Sequence, residues 1–328
     1  MNPTMTPPLD PIDLIDPIAQ WLARRPHLIL DGALATELER RGADLRDALW
    51  SARLLIEQPE LIRAVHLDYF RAGADVATSA SYQATFDGFA RRGLDTEAAA
   101  ALMRRSVELA QEARAQWLQE RPASDARPTP LVAASVGPYG AMKADGSEYR
   151  GDYGLDEEAL MAFHRPRLAV LKAAGADLMA CETLPCLVEA RALARLMDEL
   201  GLRGWISFSC RDGDHTSQGE PIGDCAAALA PFASVVAIGV NCTAPQHIAS
   251  LVRAIRARSD RPVQVYPNAG EVWDAQAKVW RAGPECAHRA FDAQAMDWAG
   301  AGARLIGGCC RTSPADIAAL WRRWEQQG

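Results

Sequence analysis

The chain has 328 residues, a formal net charge of −7 and 49% hydrophobic residues. This composition excludes a disordered chain. The acidic balance argues against nucleic acid as the main partner, because phosphate binding needs a basic face. No run approaches the roughly 18 apolar residues of a membrane span, so no membrane partner is expected.

The first 26 residues are rich in Pro and Asp and lack the basic and apolar regions of a secretory signal. They are predicted to form a leader with a short helix over 17–25. The protein is therefore expected to be cytoplasmic. Residues 27–328 are predicted to form one domain.

Short apolar runs alternate with helical patterns along this domain. In chain order the runs cover 27–30, 75–80, 131–136, 177–180, 205–209, 235–240, 262–266 and 304–306. Helical patterns cover 96–120, 155–173, 187–200, 245–257, 286–299 and 314–324. Strict alternation predicts a parallel sheet with right-handed crossovers, and eight strands predict a closed (β/α)8 TIM barrel. A doubly wound sheet is the alternative, but no Gly-x-Gly-x-x-Gly or Walker A phosphate loop is present.

Active sites of this barrel lie at the carboxyl ends of the strands. The polar and sulfur-bearing residues predicted at those ends are Asp31, Tyr82, Glu182, Asn241, Cys242, Asn268, Cys309 and Cys310. The long loop over 139–153 is also expected to be functional, because loops of this length in compact domains usually are. The chemistry is therefore expected at one rim of the barrel.

Three of the eight cysteines follow predicted strands: Cys242 ends the sixth, and Cys309 and Cys310 end the eighth. Three thiolates at one rim predict a zinc site with an open fourth position, typical of catalytic zinc, and one ion per chain. Both adjacent thiols can reach one ion only if the backbone leaves strand geometry, for which Gly307-Gly308 is expected to provide the freedom.

The alternative is that these three are ordinary buried cysteines. The remaining five are predicted to be core or incidental residues: Cys181, Cys186, Cys210, Cys225 and Cys286. A thiolate-rich zinc suits the binding of a substrate thiol, which it keeps deprotonated and nucleophilic.

Several motifs resemble those of the homocysteine S-methyltransferases, above all the bacterial branch that uses S-methylmethionine. They are LDGALATELE at 30–39, HLDYFRAGA at 66–74, ASYQAT at 80–85, SVGPYG at 135–140, DGSEYRG at 145–151, CETLP at 181–185, GVNC at 239–242 and GGCCR at 307–311. The resemblance runs from about residue 28 to 321. It implies a homocysteine-binding barrel whose zinc is held by the three cysteines already named.

The resemblance also implies roles for individual residues. Asp31 and Glu182 are expected to face the amino group of homocysteine, and backbone N–H groups near Gly32 and Ala33 its carboxylate. Asn241 is expected in the same substrate site. Tyr82 or Asn241 can fill the fourth zinc position when substrate is absent.

The reaction expected from the resemblance is attack of the homocysteine thiolate on the methyl group of a sulfonium donor, which gives methionine. Aromatic side chains suit such a donor through cation–π contact, and Tyr139, Tyr149 and Trp273, together with Tyr82, are the candidates.

The sequence leaves other substrates and one other class of function open. The donor can instead be S-adenosylmethionine, betaine or a methyl-folate or cobalamin system, and the acceptor can be selenocysteine. A zinc or thiol sensor without enzymatic activity is the alternative from another class. The partners are expected to be small molecules, and the sequence leaves the oligomeric state open.

Overall fold

The computed structural model describes residues 16–45, 53–123, 125–143, 145–274, 279–282 and 290–326, and the side chains of 271–282 are outside that description. The parallel strands are β1 Leu28–Ile29, β2 Val76–Thr78, β3 Leu131–Val136, β4 Leu178–Leu184, β5 Gly204–Phe208, β6 Val235–Asn241, β7 Val263–Tyr266 and β10 Ala303–Ile306. An antiparallel hairpin, β8 Glu271–Asp274 and β9 Val279–Ala282, lies between β7 and the last helices in the sequence.

Helices occupy most of the segments between the strands. They are α1 Pro17–Leu22, α2 Leu34–Arg40, α3 Leu54–Glu57, α4 Pro59–Ala72, α5 Phe86–Ala90, α6 Thr96–Glu120, α7 Tyr139–Lys143, α8 Glu157–Ala173, α9 Leu187–Leu200, α10 Ile222–Ala228, α11 Pro245–Arg256, α12 Phe291–Ala301 and α13 Pro314–Glu325. The predicted start of α13 is confirmed, because Ser313 and Asp316 form a capping box before Pro314.

The eight strands form one parallel sheet in the order β1-β10-β7-β6-β5-β4-β3-β2. The sheet closes on itself through a parallel bridge between Leu30 and Val76 and the hydrogen bond from Asp31 N to Val76 O at 3.1 Å. The predicted (β/α)8 barrel is therefore confirmed.

Two buried apolar layers hold the barrel together. One lies between the strands and the surrounding helices, and the other fills the interior with side chains such as Trp205 and Leu305. Ile18 and Trp21 of α1 belong to the interior cluster. Because β1 begins only six residues after α1 ends, this helix covers the amino-terminal end of the barrel.

Some boundaries differ from the sequence prediction. β4 continues to Leu184 instead of ending at Ala180, and the β4–β5 register shifts between Cys181 and Leu184. The first part of the helix predicted over 286–299 lies outside the described residues. Among the residues that are described, no helix is long and apolar enough to cross a bilayer.

Candidate metal centre and substrate pocket

Three cysteine thiols meet at the carboxyl end of the barrel. The Sγ atom of Cys242 lies 2.8 Å from that of Cys309 and 3.8 Å from that of Cys310, and the last two are 3.9 Å apart. All three side chains are partly buried. The convergence predicted from strand order is therefore present in the structure.

This arrangement fits zinc. Tetrahedral ligands with Zn–S bonds of about 2.3 Å lie about 3.8 Å apart, so two of the three sulfur separations already match. The 2.8 Å separation of Cys242 from Cys309 is shorter. It also exceeds the roughly 2.05 Å of a disulfide, so both remain thiols. A small outward movement of one sulfur completes a three-thiolate set.

Unusual backbone geometry orients these thiols. Cys242 adopts φ 47° and Arg311 φ 72°, in the left-handed region that non-glycine residues rarely use. The sequence prediction assigned conformational freedom to Gly307 and Gly308, but neither has positive φ. They are needed for space instead, since a Cβ on Gly307 would lie 2.6 Å from Asp31 O and one on Gly308 2.2 Å from Thr312 Oγ1.

Hydrogen bonds fix the turn that carries the adjacent cysteines. Cys309 N donates to Pro267 O at 2.8 Å, and Thr312 Oγ1 donates to Cys309 O at 2.6 Å. Ala269 N donates to Cys310 O at 3.0 Å. The segment after β7 therefore holds the turn after β10.

The thiols share charge. Hydrogen bonds from Cys309 and Cys310 lower the pKa of Cys242 well below its usual value, while the same contacts with Cys242 raise the pKa of Cys309. In a cluster of this kind one thiol is deprotonated readily. The other thiols lose their protons only when a cation compensates the added negative charge. This electrostatic preference is what a divalent metal satisfies.

Two buried carboxylates, Asp31 and Glu182, lie at the same rim. Asp31 accepts hydrogen bonds from Thr78 N at 2.7 Å and Thr78 Oγ1 at 3.1 Å, yet burial raises its pKa to about 7. Burial raises the pKa of Glu182 to about 8 against the hydrogen bond from Ser135, and the negative charges of Cys242 and Asp31 add to the increase. The pocket therefore favours a bound cation, which would lower both pKa values.

Asn241 supports the site from beneath. It is fully buried, its Oδ1 accepts from Thr183 N at 2.8 Å, and its Nδ2 donates to Thr183 Oγ1 at 2.8 Å. Thr183 has φ 59°. Asn241 thus stabilises the left-handed residue beside Glu182 and directly precedes the left-handed Cys242.

Two tyrosines reach the cysteines. Tyr149, which is 37% exposed, hydrogen-bonds the Cys242 sulfur through its side chain. The pKa of Tyr82 is raised by burial and then by the nearby charges of Glu148 and Cys242. A Cβ at Gly137 would lie 2.7 Å from the Tyr82 ring, so that glycine leaves the space this ring occupies.

The other predicted donor-pocket residues are placed differently. The Tyr139 ring packs on Tyr153 and Phe163, with centroids 5.3 and 5.0 Å away. Trp273 belongs to β8, but its side chain lies outside the described residues. Of the predicted aromatic set, Tyr149 and Tyr82 are therefore the two that this structure places beside the thiols.

The turn after β1 is tightly packed. Ala33 N donates to Thr312 Oγ1 at 3.2 Å, and a Cβ on Gly32 would lie 2.8 Å from Tyr69 Oη. Ala33 immediately precedes α2. Gly32 and Ala33 are thus at the positive end of a helix.

The cysteines predicted to be incidental do not join the cluster where they are described. Cys181, Cys186 and Cys225 are buried, and burial raises the pKa of each thiol, that of Cys181 to about 12. Burial likewise raises the pKa of Cys210. Cys286 lies outside the described residues.

A polar cavity of about 600 Å³ is formed by the loop after β3 and Gln218 of the loop after β5. It contains no cysteine and is lined by Lys143, Asp145, Ser147, Arg150, Gly151, Asp152, Tyr153 and Gln218. The chemistry is assigned to the rim with the thiols, because reactive and titratable groups converge there.

Several residues of the site were not predicted from the sequence. Ser135 donates to Glu182, Tyr266 also hydrogen-bonds it, and Trp205 Nε1 donates to Tyr266 Oη at 3.0 Å. Ser135 and Tyr266 lie at or near the ends of β3 and β7. Their position at strand ends could have marked them as site residues. Their hydrogen bonds to Glu182, however, form only because the barrel brings the strands together.

Comparison with known proteins identifies the family of the chain. A family model described as Homocysteine S-methyltransferase matches residues 28–324. Homocysteine S-methyltransferase YbgG of Bacillus subtilis is 51% identical, over 94% of this chain and 98% of the relative. Selenocysteine Se-methyltransferase of Brassica oleracea is 47% identical, over 90% of this chain and 88% of the relative.

A solved structure has the same fold. The metallated form of the Escherichia coli homocysteine methyltransferase MmuM superposes with a TM-score of 0.84 at 50% identity, covering 94% of this chain and all of that chain. An oxidised form of the same enzyme gives 0.85. With a thiol-rich rim, a matching family model and relatives about half identical over nearly their whole length, this chain belongs to the homocysteine S-methyltransferase family and is an enzyme of that class.

Proposed function

We propose that the enzyme transfers a methyl group from S-methylmethionine to the thiol of L-homocysteine, so that both products are methionine. The observation that carries the proposal is the meeting of three thiols with two buried carboxylates at one rim. Cys242, Cys309 and Cys310 would hold one zinc ion per chain. When bound, zinc supplies the positive charge that keeps the homocysteine sulfur deprotonated at neutral pH.

The remaining groups of the rim suit the amino acid part of homocysteine. Asp31 and Glu182 would accept the ammonium group, which compensates their buried charges. Backbone N–H groups around Gly32 and Ala33, at the start of α2, would face the carboxylate. Asn241 would act through Thr183, which it holds beside Glu182.

The pocket also suits the methyl transfer itself. An anionic sulfur attacks a cationic donor, and the departing thioether needs no proton, so no general acid is required. Because opposite charges neutralise in the transition state, a buried pocket favours the reaction. The rings of Tyr149 and Tyr82 would face the sulfonium, and in the absence of substrate Tyr82 would complete the metal ligands. Asn241, the other candidate for that position, has both ends of its amide bonded to Thr183 and is not proposed as a ligand.

Related substrates define the alternatives. S-adenosylmethionine is the second sulfonium donor to consider, and betaine is a third methyl donor. Selenocysteine is an alternative acceptor, favoured by the similarity to a selenocysteine Se-methyltransferase. A cytoplasmic location is part of the proposal, since ligand thiols stay reduced in that compartment.

The test is methionine formation by zinc-loaded enzyme from homocysteine with S-methylmethionine or S-adenosylmethionine in parallel. We expect rapid turnover with S-methylmethionine and slower turnover with S-adenosylmethionine. If neither donor gives methionine while zinc remains bound, the substrate assignment is wrong. A site that keeps its metal and never admits a substrate thiol would instead indicate a sensor.

A further inference from the structure

Glu148 is a third carboxylate at the thiol rim, and neither homocysteine nor the metal accounts for it. It lies in the 3₁₀ turn Ser147–Tyr149, directly before the tyrosine that contacts Cys242. Its charge contributes more than any other to the raised pKa of Tyr82, and the charge of Cys242 acts on Glu148 in turn. The carboxylate therefore lies close to the thiols and Tyr82.

The backbone of Glu148 is held in place on two sides. Its carbonyl oxygen accepts from Ser209 Oγ at 3.4 Å, just after β5. Its backbone nitrogen lies so close to Gly140 that a Cβ there would approach it to 2.5 Å. The side chain is thus presented by a fixed turn and does not hang from a free loop.

One oxygen of this carboxylate has no partner. Oε2 is fully buried and accepts no hydrogen bond from the described part of the chain. Burial and the like charges of Asp145 and Cys242 raise the pKa of Glu148. Arg150 is the cation that acts on Glu148, but its side chain is 63% exposed and pairs with Asp145 at 3.9 Å.

Asp31 and Glu182 differ from Glu148 in this respect. Asp31 receives two hydrogen bonds from Thr78, and Glu182 receives one each from Ser135 and Tyr266. A buried acceptor without a partner is costly. Asp75 Oδ1 and Glu189 Oε2 are also without a partner, but Glu148 differs from both because it directly precedes Tyr149 and interacts electrostatically with Cys242. Because the like charges of Asp145 and Cys242 act on Glu148, a ligand that carries positive charge would stabilise its ionised form most.

We propose that Glu148 binds the cationic methyl donor and selects sulfonium donors over uncharged ones. The inference rests on the proposed function, in which two other carboxylates already serve the ammonium of homocysteine. Glu148 directly precedes Tyr149 and interacts electrostatically with Tyr82 and Cys242, so the proposal places the cationic part of the donor beside it. Glu148 therefore contributes to the affinity for the methyl donor and not to the affinity for homocysteine.

The test compares wild type with Glu148→Gln, and Glu158→Gln serves as the matched control because its carboxylate is 71% exposed on α8. Calorimetry measures binding of S-methylmethionine without homocysteine, so that no turnover occurs. We expect Glu148→Gln to bind the donor at least about 30-fold more weakly, as for loss of one partner of a buried charge pair. Its KM for homocysteine should change less than about threefold, and Glu158→Gln should match wild type throughout.

Thermal unfolding of the substrate-free protein separates binding from a structural role. Removing a buried charge without a partner should leave Tm unchanged or raise it. A lowered Tm, a failure to fold or an equal rise in the KM of homocysteine would overturn the inference. Glu148→Asp keeps the charge on a shorter side chain and should show a smaller loss of donor affinity.

Running S-adenosylmethionine as a second sulfonium donor distinguishes the two proposals. If wild type uses neither sulfonium, the proposed function fails. If wild type uses either one and Glu148→Gln binds and uses it equally well, only the inference about Glu148 fails.

Discussion

Each end of the barrel has one buried aspartate with a raised pKa, but the two aspartates have different charged neighbours. Asp31 at the carboxyl end of β1 accepts from Thr78 N at 2.7 Å, and Asp75 at the amino end of β2 accepts from Ile29 N at 2.8 Å. Burial raises the pKa of both to about 7. Asp31 interacts electrostatically with a second carboxylate, Glu182, while Arg25 and Arg127 interact with Asp75.

The comparison shows that a perturbed pKa does not by itself identify a functional residue. Asp75 joins two strands at the end that α1 covers, where Arg25 and Arg127 lower its pKa and Asp125 raises it. At the carboxyl end, Cys242 and Asp31 add negative charge around Glu182. A site for a cation is indicated by the uncompensated charge and the open strand ends together.

The largest expected effect distinguishes the thiol rim from cysteines elsewhere. Cys309→Ser should remove the metal and lower methionine formation by on the order of 10³-fold or more, because a lost ligand forfeits several kcal/mol of metal-dependent stabilisation. Metal content by mass spectrometry and turnover are the measurements. Cys225→Ala, a buried cysteine on α10, is the control and should keep both. Full metal occupancy in Cys309→Ser would contradict the assignment.

A smaller effect should separate the acids of the two ends. Glu182→Gln should raise the KM for homocysteine by about 100-fold, because the ammonium group loses a buried charged partner. Asp75→Asn should leave that KM unchanged, although it alters a carboxylate of similar pKa. Steady-state kinetics with homocysteine as the varied substrate checks both. Equal effects from the two variants would mean that the KM for homocysteine depends on the stability of the whole barrel and not on the acids at its carboxyl end.

A further effect concerns the pH dependence of stability and should be common to both ends. The folded-state pKa values of about 7 for Asp31 and Asp75 and about 8 for Glu182 lie above those of an unfolded chain. The folded state therefore binds more protons in this range, and the free energy of unfolding of the metal-free protein should fall as pH rises from about 4.5 to 8. Each group contributes at most about 1.4 kcal/mol per pH unit.

Denaturant unfolding across that range measures the slope. Asp75→Asn and Glu182→Gln should each make it shallower. A free energy of unfolding that increases with pH in both the wild type and the variants would show that these carboxylates are not buried as described.

The sequence predicted the barrel and the thiol cluster because both depend on periodicity and strand order. Cys242 and Cys309 follow strands that alternate with helices, and closure of the barrel brings those strand ends to one rim. The left-handed backbone of Cys242, with φ 47°, was not predictable, because the contacts that hold it come from other segments, such as the hydrogen bond from Cys242 N to Tyr266 O at 3.3 Å. The same holds for Ser135 and Glu148, whose significance lies in contacts between segments distant in sequence.

The central claim is that three cysteines of this chain hold a zinc ion and leave one position for the substrate sulfur. X-ray absorption at the zinc edge, with and without homocysteine, tests it most directly. We predict three sulfur ligands in the substrate-free enzyme and four after homocysteine is added. Four sulfur ligands from the start, or a count that homocysteine does not change, would contradict the account.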